Sequence, residues 1–322
     1  MLRIVLLGAG SHSELVHGPS LALYASEHPG EIGLAAVCDL REERARLLCE
    51  RFGFARAYTD LDRMLETERP DACWVVSPIT LTRELAGRAM ERGLPTFFEK
   101  PPGASLQEAR ELADISDRSG APNMVAFNRR WAPCTRKALA WAKEHGPFEY
   151  LYARMLRAQR GEKGFAFGTG IHLLDCVRTL AQAAMGGITS AETTRVEPTA
   201  GVYNFHVDLR LRSGATGRCD ILPTCGLVDE TYTLFGRDRL ITYTLPWFSA
   251  DGRAELYVEG KLAESETWPA RPAHVSSGFY GEATEFISAL QEGRKPSPSP
   301  REAVDSVALA EAVQEGRGIG FE

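Results

Sequence analysis

The sequence predicts two α/β domains: a doubly wound parallel sheet at the N-terminus, then an α+β domain built on a mostly antiparallel open sheet. Three observations carry this. The 322 residues exceed one comfortable core and suit two domains of roughly 100–200 residues each. Up to about Phe127, short apolar runs alternate with helical patterns, as parallel strands with crossover helices require. Beyond it, one helix, one strand and a second helix give way to strands with no helix between them. The expected division is 1–125 and 126–322, with the C-terminal helix packing back on the first domain.

In the first domain the strand candidates are Arg3–Leu7, Leu34–Cys38, Ala57–Tyr58, Ala72–Val76, Thr96–Phe98 and Asn123–Phe127. The intervening helices are expected at Glu14–Glu27, Glu42–Phe52, Leu61–Glu66, Leu81–Arg92 and Leu106–Ser119. The last is sharply marked: Ser105 and Glu108 form a capping box, and Gly120 with Pro122 ends it. In the second domain, helices at Pro133–Glu144 and Thr169–Gln182 flank a strand at Phe148–Leu156. Residues 188–198, 202–212, 215–223, 230–236, 239–245 and 254–259 read as an antiparallel meander, with turn chemistry at RSGATG, FGRDR, SADGR and VEGK. Helices at Tyr280–Gln291 and Arg301–Glu315 close the chain across GRKPSPSP, a stiff connector.

Composition bounds the function. A net charge of -6 gives a polyanion no purchase, so nucleic acid is not an expected partner. No apolar run reaches the roughly 18 residues of a membrane span, and MLRIVLLGAG runs into glycines without a signal-peptide pattern; a cytoplasmic protein is expected. The seven cysteines are scattered through apolar runs and read as reduced core thiols. Without CxxC, HxxxH or HxH spacing, no metal site is expected.

The segment IVLLGAGSHSE sets Gly8 and Gly10 after a strand and before a helix, where Ser11, His12 and neighbouring amides can meet a pyrophosphate at the positive helix end. Ser13 stands where a third glycine is usual. Asp39 ends the second strand, placed to accept both hydroxyls of an adenosine ribose and to repel a 2'-phosphate; with Leu40 beside it, the reading is NAD, while Arg41 keeps NADP open. Ser77 and Pro78 follow the fourth strand, at the same crevice. This is a Rossmann dinucleotide site.

The stretch GLPTFFEKPPGASLQEARELADISDRSGAPNMVAFNRRW resembles the Gfo/Idh/MocA oxidoreductase family through Glu99-Lys100-Pro101, the cap at Ser105 and the turn Asn128 to Arg130. The resemblance implies hydride transfer between nicotinamide and a hydroxyl or carbonyl carbon of a sugar, inositol or similar polyol. It also implies a homodimer or homotetramer formed through the C-terminal sheet. Lys100 would meet the reacting oxygen and Glu99 the nicotinamide ribose. The family pattern Asp-x-x-x-His-x-x-Asp appears as GTGIHLLD: His172 becomes the acid or base and Asp175 a substrate contact or a core partner. Gly168 replaces the first Asp, with Thr169 and Glu162 as candidate substitutes, and Thr82 replaces a histidine common in relatives. Arg129, Arg130 and Trp131 read as pocket borders or as salt-bridge partners, and Arg157 and Tyr232 as pocket-lining groups on strands. The departure at Gly168 leaves two other functions open: an NAD-dependent glycoside-eliminating enzyme, and a dinucleotide-binding sensor or scaffold without catalysis.

Overall fold

A computed structural model describes residues 1–246 and 250–321. Ser249, the first residue of the expected SADGR turn, lies outside them. The chain divides into two compact units, Met1–Phe127 with Phe279–Val304, and Asn128–Gly278 with Asp305–Glu322. Among the described residues no helix is long and apolar enough to cross a membrane.

The first unit contains β1 (Leu2–Leu7), β2 (Ile32–Cys38), β3 (Arg56–Tyr58), β4 (Ala72–Val75), β5 (Thr96–Glu99) and β6 (Met124–Ala126). All run parallel, in the order β3-β2-β1-β4-β5-β6. Neighbours of β1 on either side lead to opposite halves of the sheet, which leaves a crevice at the carboxyl ends of β1 and β4. Residues Ile4, Val5 and Leu6 and the whole of Ala72–Val75 have no solvent contact, as strands covered on both faces must. The helices are α1 (Gly18–Glu27), α2 (Glu42–Phe52), α3 (Leu61–Glu68), α4 (Ile79–Glu91) and α5 (Leu106–Ser119). Ser105 caps α5 by accepting from Glu108 N at 3.2 Å, and Gly120 ends it at φ 65°. The Glu108 carboxylate reaches back one residue further than a capping box requires, to Ala104 N at 2.7 Å.

The helix Phe279–Glu292 belongs to this unit. Phe286 sits edge-on to Trp74 at 5.3 Å and to Phe97 at 5.7 Å, while Trp74 and Phe97 stack at 4.1 Å. Aromatic pairs of this geometry contribute about 0.5–1.5 kcal/mol each beyond their buried area. The unit therefore recruits a stretch remote in sequence, but it is the helix before the last: the C-terminal helix, expected to pack back on the first domain, lies mostly in the second unit from Asp305 on.

The second unit holds β7 (Tyr150–Leu156), β8 (Ile188–Thr199), β9 (Val202–Leu211), β10 (Thr216–Leu222), β11 (Asp229–Gly236), β12 (Arg239–Thr244), β13 (Gly252–Val258), β14 (Lys261–Trp268) and β15 (Ile319–Gly320). Their order is β14-β13-β12-β11-β7-β10-β9-β8-β15. The expected uninterrupted meander is corrected here: β10 and β11 do not pair. β7 enters between them, parallel to β10 and antiparallel to β11. Its strict alternation, with Leu151, Ala153 and Met155 buried and the residues between them half-buried, suits a central strand covered on one face. Helices α6 (Pro133–Glu144) and α7 (Ile171–Met185) pack on that face. β14 escapes a reading of the sequence because KLAESETW carries no apolar alternation; exposed along almost its whole length, it is a charged edge strand.

Candidate active site

At the crevice of the first unit, β1 ends in Gly8 at φ 96°, where an added Cβ would stand 2.0 Å from the Val76 carbonyl oxygen. Only glycine fits. At Gly10 an added Cβ meets nothing within 4 Å, so the chain is kept bare on the side where a phosphate approaches a helix start. Ser13 is fully buried and donates from Oγ to the Gly8 carbonyl at 2.6 Å, closing the loop where a third glycine would only have left room. The tight helix contact falls instead at Gly18, whose Cβ would lie 2.5 Å from the Phe52 ring.

Asp39 is held by two backbone donors, Ala9 N to Oδ2 at 2.8 Å and Arg41 N to Oδ1 at 2.9 Å. Its carboxylate thus faces the glycine loop. The Arg41 side chain approaches it only to 3.9 Å, and Leu40 is 90% exposed beside it. After β4, Pro78 caps α4. Thr82, buried, donates to the Pro78 carbonyl at 3.3 Å, so Ser77 Oγ is the donor in its 3.2 Å contact with Thr82. Thr82 is thus spent on shaping this turn.

Two histidines five residues apart converge on Glu99. His17 Nε2 lies 2.6 Å and His12 Nε2 3.1 Å from Oε1, and Lys100 N donates to Oε2 at 3.2 Å. In an α-helix, residues five apart point away from each other. Here Ser13–His17 is a π-helical turn, whose wider spiral brings positions i and i+5 into line; the two imidazoles meet edge to face at 5.2 Å. Trp74 Nε1 donates to His17 Nδ1 at 3.3 Å. Because indole can only donate, His17 Nδ1 accepts and its Nε2 carries the proton toward Glu99. Burial pushes the His17 imidazole down, and the hydrogen bond to Glu99 does not cancel that. Burial pushes Glu99 up, but the charge of His12 and the hydrogen bonds from His12 and His17 outweigh it and hold the carboxyl well below its ordinary range. His12, His17 and Glu99 are close enough to share a cation, yet the tautomer that Trp74 imposes points a proton, not a lone pair, at the common centre. The trio is a hydrogen-bonded cluster. Glu99, expected to meet a ribose, is 7% exposed with both oxygens already engaged; His12 is the member that faces out. Lys100, half-buried, follows at the end of β5.

In the second unit a π-helical turn at Ala166–Gly170 leads into α7, which carries His172, half-buried. An added Cβ at Gly168 meets nothing within 4 Å. The missing carboxylate is therefore not excluded by packing. Of its two candidate substitutes, Thr169 Oγ1 accepts from Arg160 Nη2 at 3.2 Å, and the same guanidinium pairs with Glu162.

Asp175, offered by the sequence as a substrate contact or a core partner, is fully buried. Arg130 grips it with two hydrogen bonds of 2.7 and 2.6 Å, and Ser306 Oγ adds a third at 2.8 Å. The carboxylate is spent inside the unit. Arg129, read as a pocket border, and Arg157, read as a pocket-lining group, are also buried and converge on Glu230, which sequence reasoning missed. Arg157 donates to Glu230 Oε2, Arg129 Nε lies 3.4 Å from Oε1, and the Tyr232 hydroxyl donates to Oε1 at 2.7 Å. Burial raises Glu230, but the two guanidiniums prevail and keep it low. Glu230 could have been found: in DETYTLFG it alternates in phase with Tyr232 and Leu234, so an inward-facing strand position holds a charge that must find partners.

The cradle at Gly8 and Gly10 and the anchored carboxylate of Asp39 fit a nicotinamide dinucleotide. Residues 2–127 match the family described as "Oxidoreductase family, NAD-binding Rossmann fold". The chain is 31% identical over 189 residues to D-glucoside 3-dehydrogenase of Escherichia coli K12, covering 54% of this chain and 52% of that protein, about half its length. It is 27% identical over 322 residues to D-apiose dehydrogenase of Paraburkholderia graminis, covering 89% and 82%. Among solved structures, a dehydrogenase from Chromobacterium violaceum superimposes with a TM-score of 0.85 at 20% identity, over 98% of this chain and 95% of that one. Residues 2–127, with their NAD-binding cradle, match the Rossmann unit of the Gfo/Idh/MocA oxidoreductase family, and the likeness to the apiose dehydrogenase runs on through the second unit.

Proposed function

We propose that the protein is an NAD-dependent dehydrogenase that oxidises a hydroxyl carbon of a sugar or related polyol, or reduces the matching carbonyl. The observation that carries the reading is the first unit's crevice, where an NAD-type carboxylate faces a glycine cradle and Lys100 follows the strand that ends beside it. Relatives named for glucoside and apiose oxidation supply the substrate class. Gly8, Gly10, Ser11 and His12 hold the pyrophosphate side, Asp39 and Leu40 the adenosine side, and Ser77, Pro78 and Lys100 the nicotinamide side. The bound nicotinamide supplies a hydride acceptor or donor.

The chain's own residues handle the proton. Lys100 donates a hydrogen bond to the substrate oxygen and stabilises it as it becomes an alkoxide. His172 takes the hydroxyl proton as general base, or returns it in the reverse direction. Glu99, its charge held by two histidines, keeps a fixed negative group one residue from the lysine. Asp175, Arg129 and Arg157 support the second unit from within, because their charged groups are already paired. The test is turnover of NAD or NADH with a panel of sugars, inositols and keto-sugars. Lys100→Ala is expected to lower kcat/KM by about 10²–10⁴, and turnover unchanged by that substitution would overturn the role of the lysine.

A further inference from the structure

Glu14 N donates to the Gly10 carbonyl at 3.1 Å, so the helix begins at Gly10 and His12 lies in its first turn. The His12 side chain is 47% exposed, whereas those of Glu99 and His17, its partners, are buried. Phe279 meets the His12 ring edge-on at 5.3 Å and the His17 ring at 5.7 Å, which braces the pair from one side. An ionised carboxylate only accepts hydrogen bonds. With Glu99 held ionised, the His12 Nε2 that lies 3.1 Å from its Oε1 carries the proton between them. The second nitrogen, Nδ1, is the one nearer the main chain, and that main chain is the helix start, where a phosphate is received.

The charges around this loop are mostly negative. Asp39, held by Ala9 N, brings one carboxylate to it and Glu99 a second. Glu14, on the same turn as His12, is paired with Arg51 of α2. On the helix Phe279–Glu292, Glu282 is buried one turn after Phe279. Against these stand Lys100, next to Glu99 in the chain, and the exposed Arg41 beside Asp39. A pyrophosphate brings further negative charge, of which the amides of a helix start offset about half an elementary charge. His12 is the group suited to supply more. Imidazole changes its charge within the physiological range, and a ring with a carboxylate at one nitrogen and a phosphate at the other is favoured as imidazolium. His17 does not fill this role, because its Nδ1 accepts from Trp74 Nε1 and its side chain is 1% exposed.

We propose that dinucleotide binding is coupled to proton uptake at His12: near neutral pH its Nδ1 takes a proton from solvent as the cofactor binds and donates it in a hydrogen bond to the pyrophosphate, while Nε2 stays on Glu99. The proposal rests on the dinucleotide reading above, and its test separates the two. The bound form holds more protons than the free form, so affinity falls as pH rises. An imidazole raised by about one pKa unit on binding takes up about half a proton at pH 7, and affinity falls about fivefold from pH 6.5 to 8.5. Calorimetry at pH 7 in two buffers of unequal ionisation enthalpy counts the protons, with NADH, ADP-ribose and adenosine as probes. NADH and ADP-ribose, which share the pyrophosphate, are expected to take up equal amounts, and adenosine none. His12→Gln, which keeps a donor for Glu99 but does not titrate, is expected to abolish the uptake and flatten the pH profile. Tight binding of NADH without uptake, or uptake that survives His12→Gln, overturns the proposal alone and leaves the dinucleotide site standing. Uptake with NADH but not with ADP-ribose, or equal uptake with adenosine, overturns the assignment to the pyrophosphate. Failure of both NADH and ADP-ribose to bind overturns the dinucleotide reading and the proposal with it.

Discussion

On the proposed reading, cofactor choice turns on one carboxylate. Two backbone amides fix Asp39 at 2.8 and 2.9 Å, so it cannot swing aside to admit a 2'-phosphate, and a negative charge there repels one directly. Arg41 lies two residues on with its side chain more than half exposed, ready to meet a phosphate once the carboxylate is gone. Asp39→Ala is therefore expected to raise the ratio of kcat/KM for NADP over NAD by at least about tenfold, or ~1.4 kcal/mol. Steady-state kinetics with both cofactors measures it, and an unchanged ratio would show that Asp39 does not select. The sequence singles out this residue because its position at the end of a second strand has one common use. Asp175 was only half legible: its two readings, substrate contact and core partner, depend on Arg130, 45 residues away, and on Ser306, 131 residues away. Pairings of that span leave no local pattern.

At the scale of an element, the π-helical turn after the glycine loop does what no α-helical reading of SELVH anticipates. Periodicity arguments assume 3.6 residues per turn, which would set His12 and His17 on different faces of a helix. The helices themselves were legible, α2, α5 and α6 to the residue, because caps and breakers are local signals. The widened turn ties the cluster to acid stability. His17 is held neutral by burial and Glu99 is held ionised by its histidines, so each binds fewer protons folded than unfolded. Stability must then fall with pH: the His17 part begins below its ordinary 6.5, and the Glu99 part is lost as pH falls on through the carboxylate range. One proton of difference gives a slope of up to about 1.4 kcal/mol per pH unit. Melting temperature is expected to drop between pH 7.5 and 5.5, and His17→Gln, which keeps a donor for Glu99 but does not titrate, is expected to flatten that drop. A slope the same in both proteins would remove His17 from the account.

On the scale of the whole chain, the nine-stranded sheet has one face covered by α6 and α7 and one left open, and the register shows what the open face presents. Across β14, β13, β12, β11 and β7 the residues Leu262, Tyr257, Leu240, Phe235 and Tyr150 stand side by side. Phe235 is 37% and Leu262 49% exposed. On β7, β10 and β9 the same face turns polar, with Tyr152, His206 and Arg218 around Asp220. An apolar row continuous over five strands, bordered by an ordered polar network, is how a sheet face looks when it meets another surface. We infer that a second copy of the chain covers it. A two-fold pairing suits the face because each copy then offers the same row to the other. The edge itself is protected from strand addition by the charges of β14, which directs association to the face. The unmodified protein is expected to sediment as a dimer or tetramer, and Phe235→Glu combined with Leu240→Glu to shift it to monomer by burying like charges in the middle of the row. Retention of the assembly in that double variant, or a monomeric unmodified protein, would assign the row to the surface of a single chain.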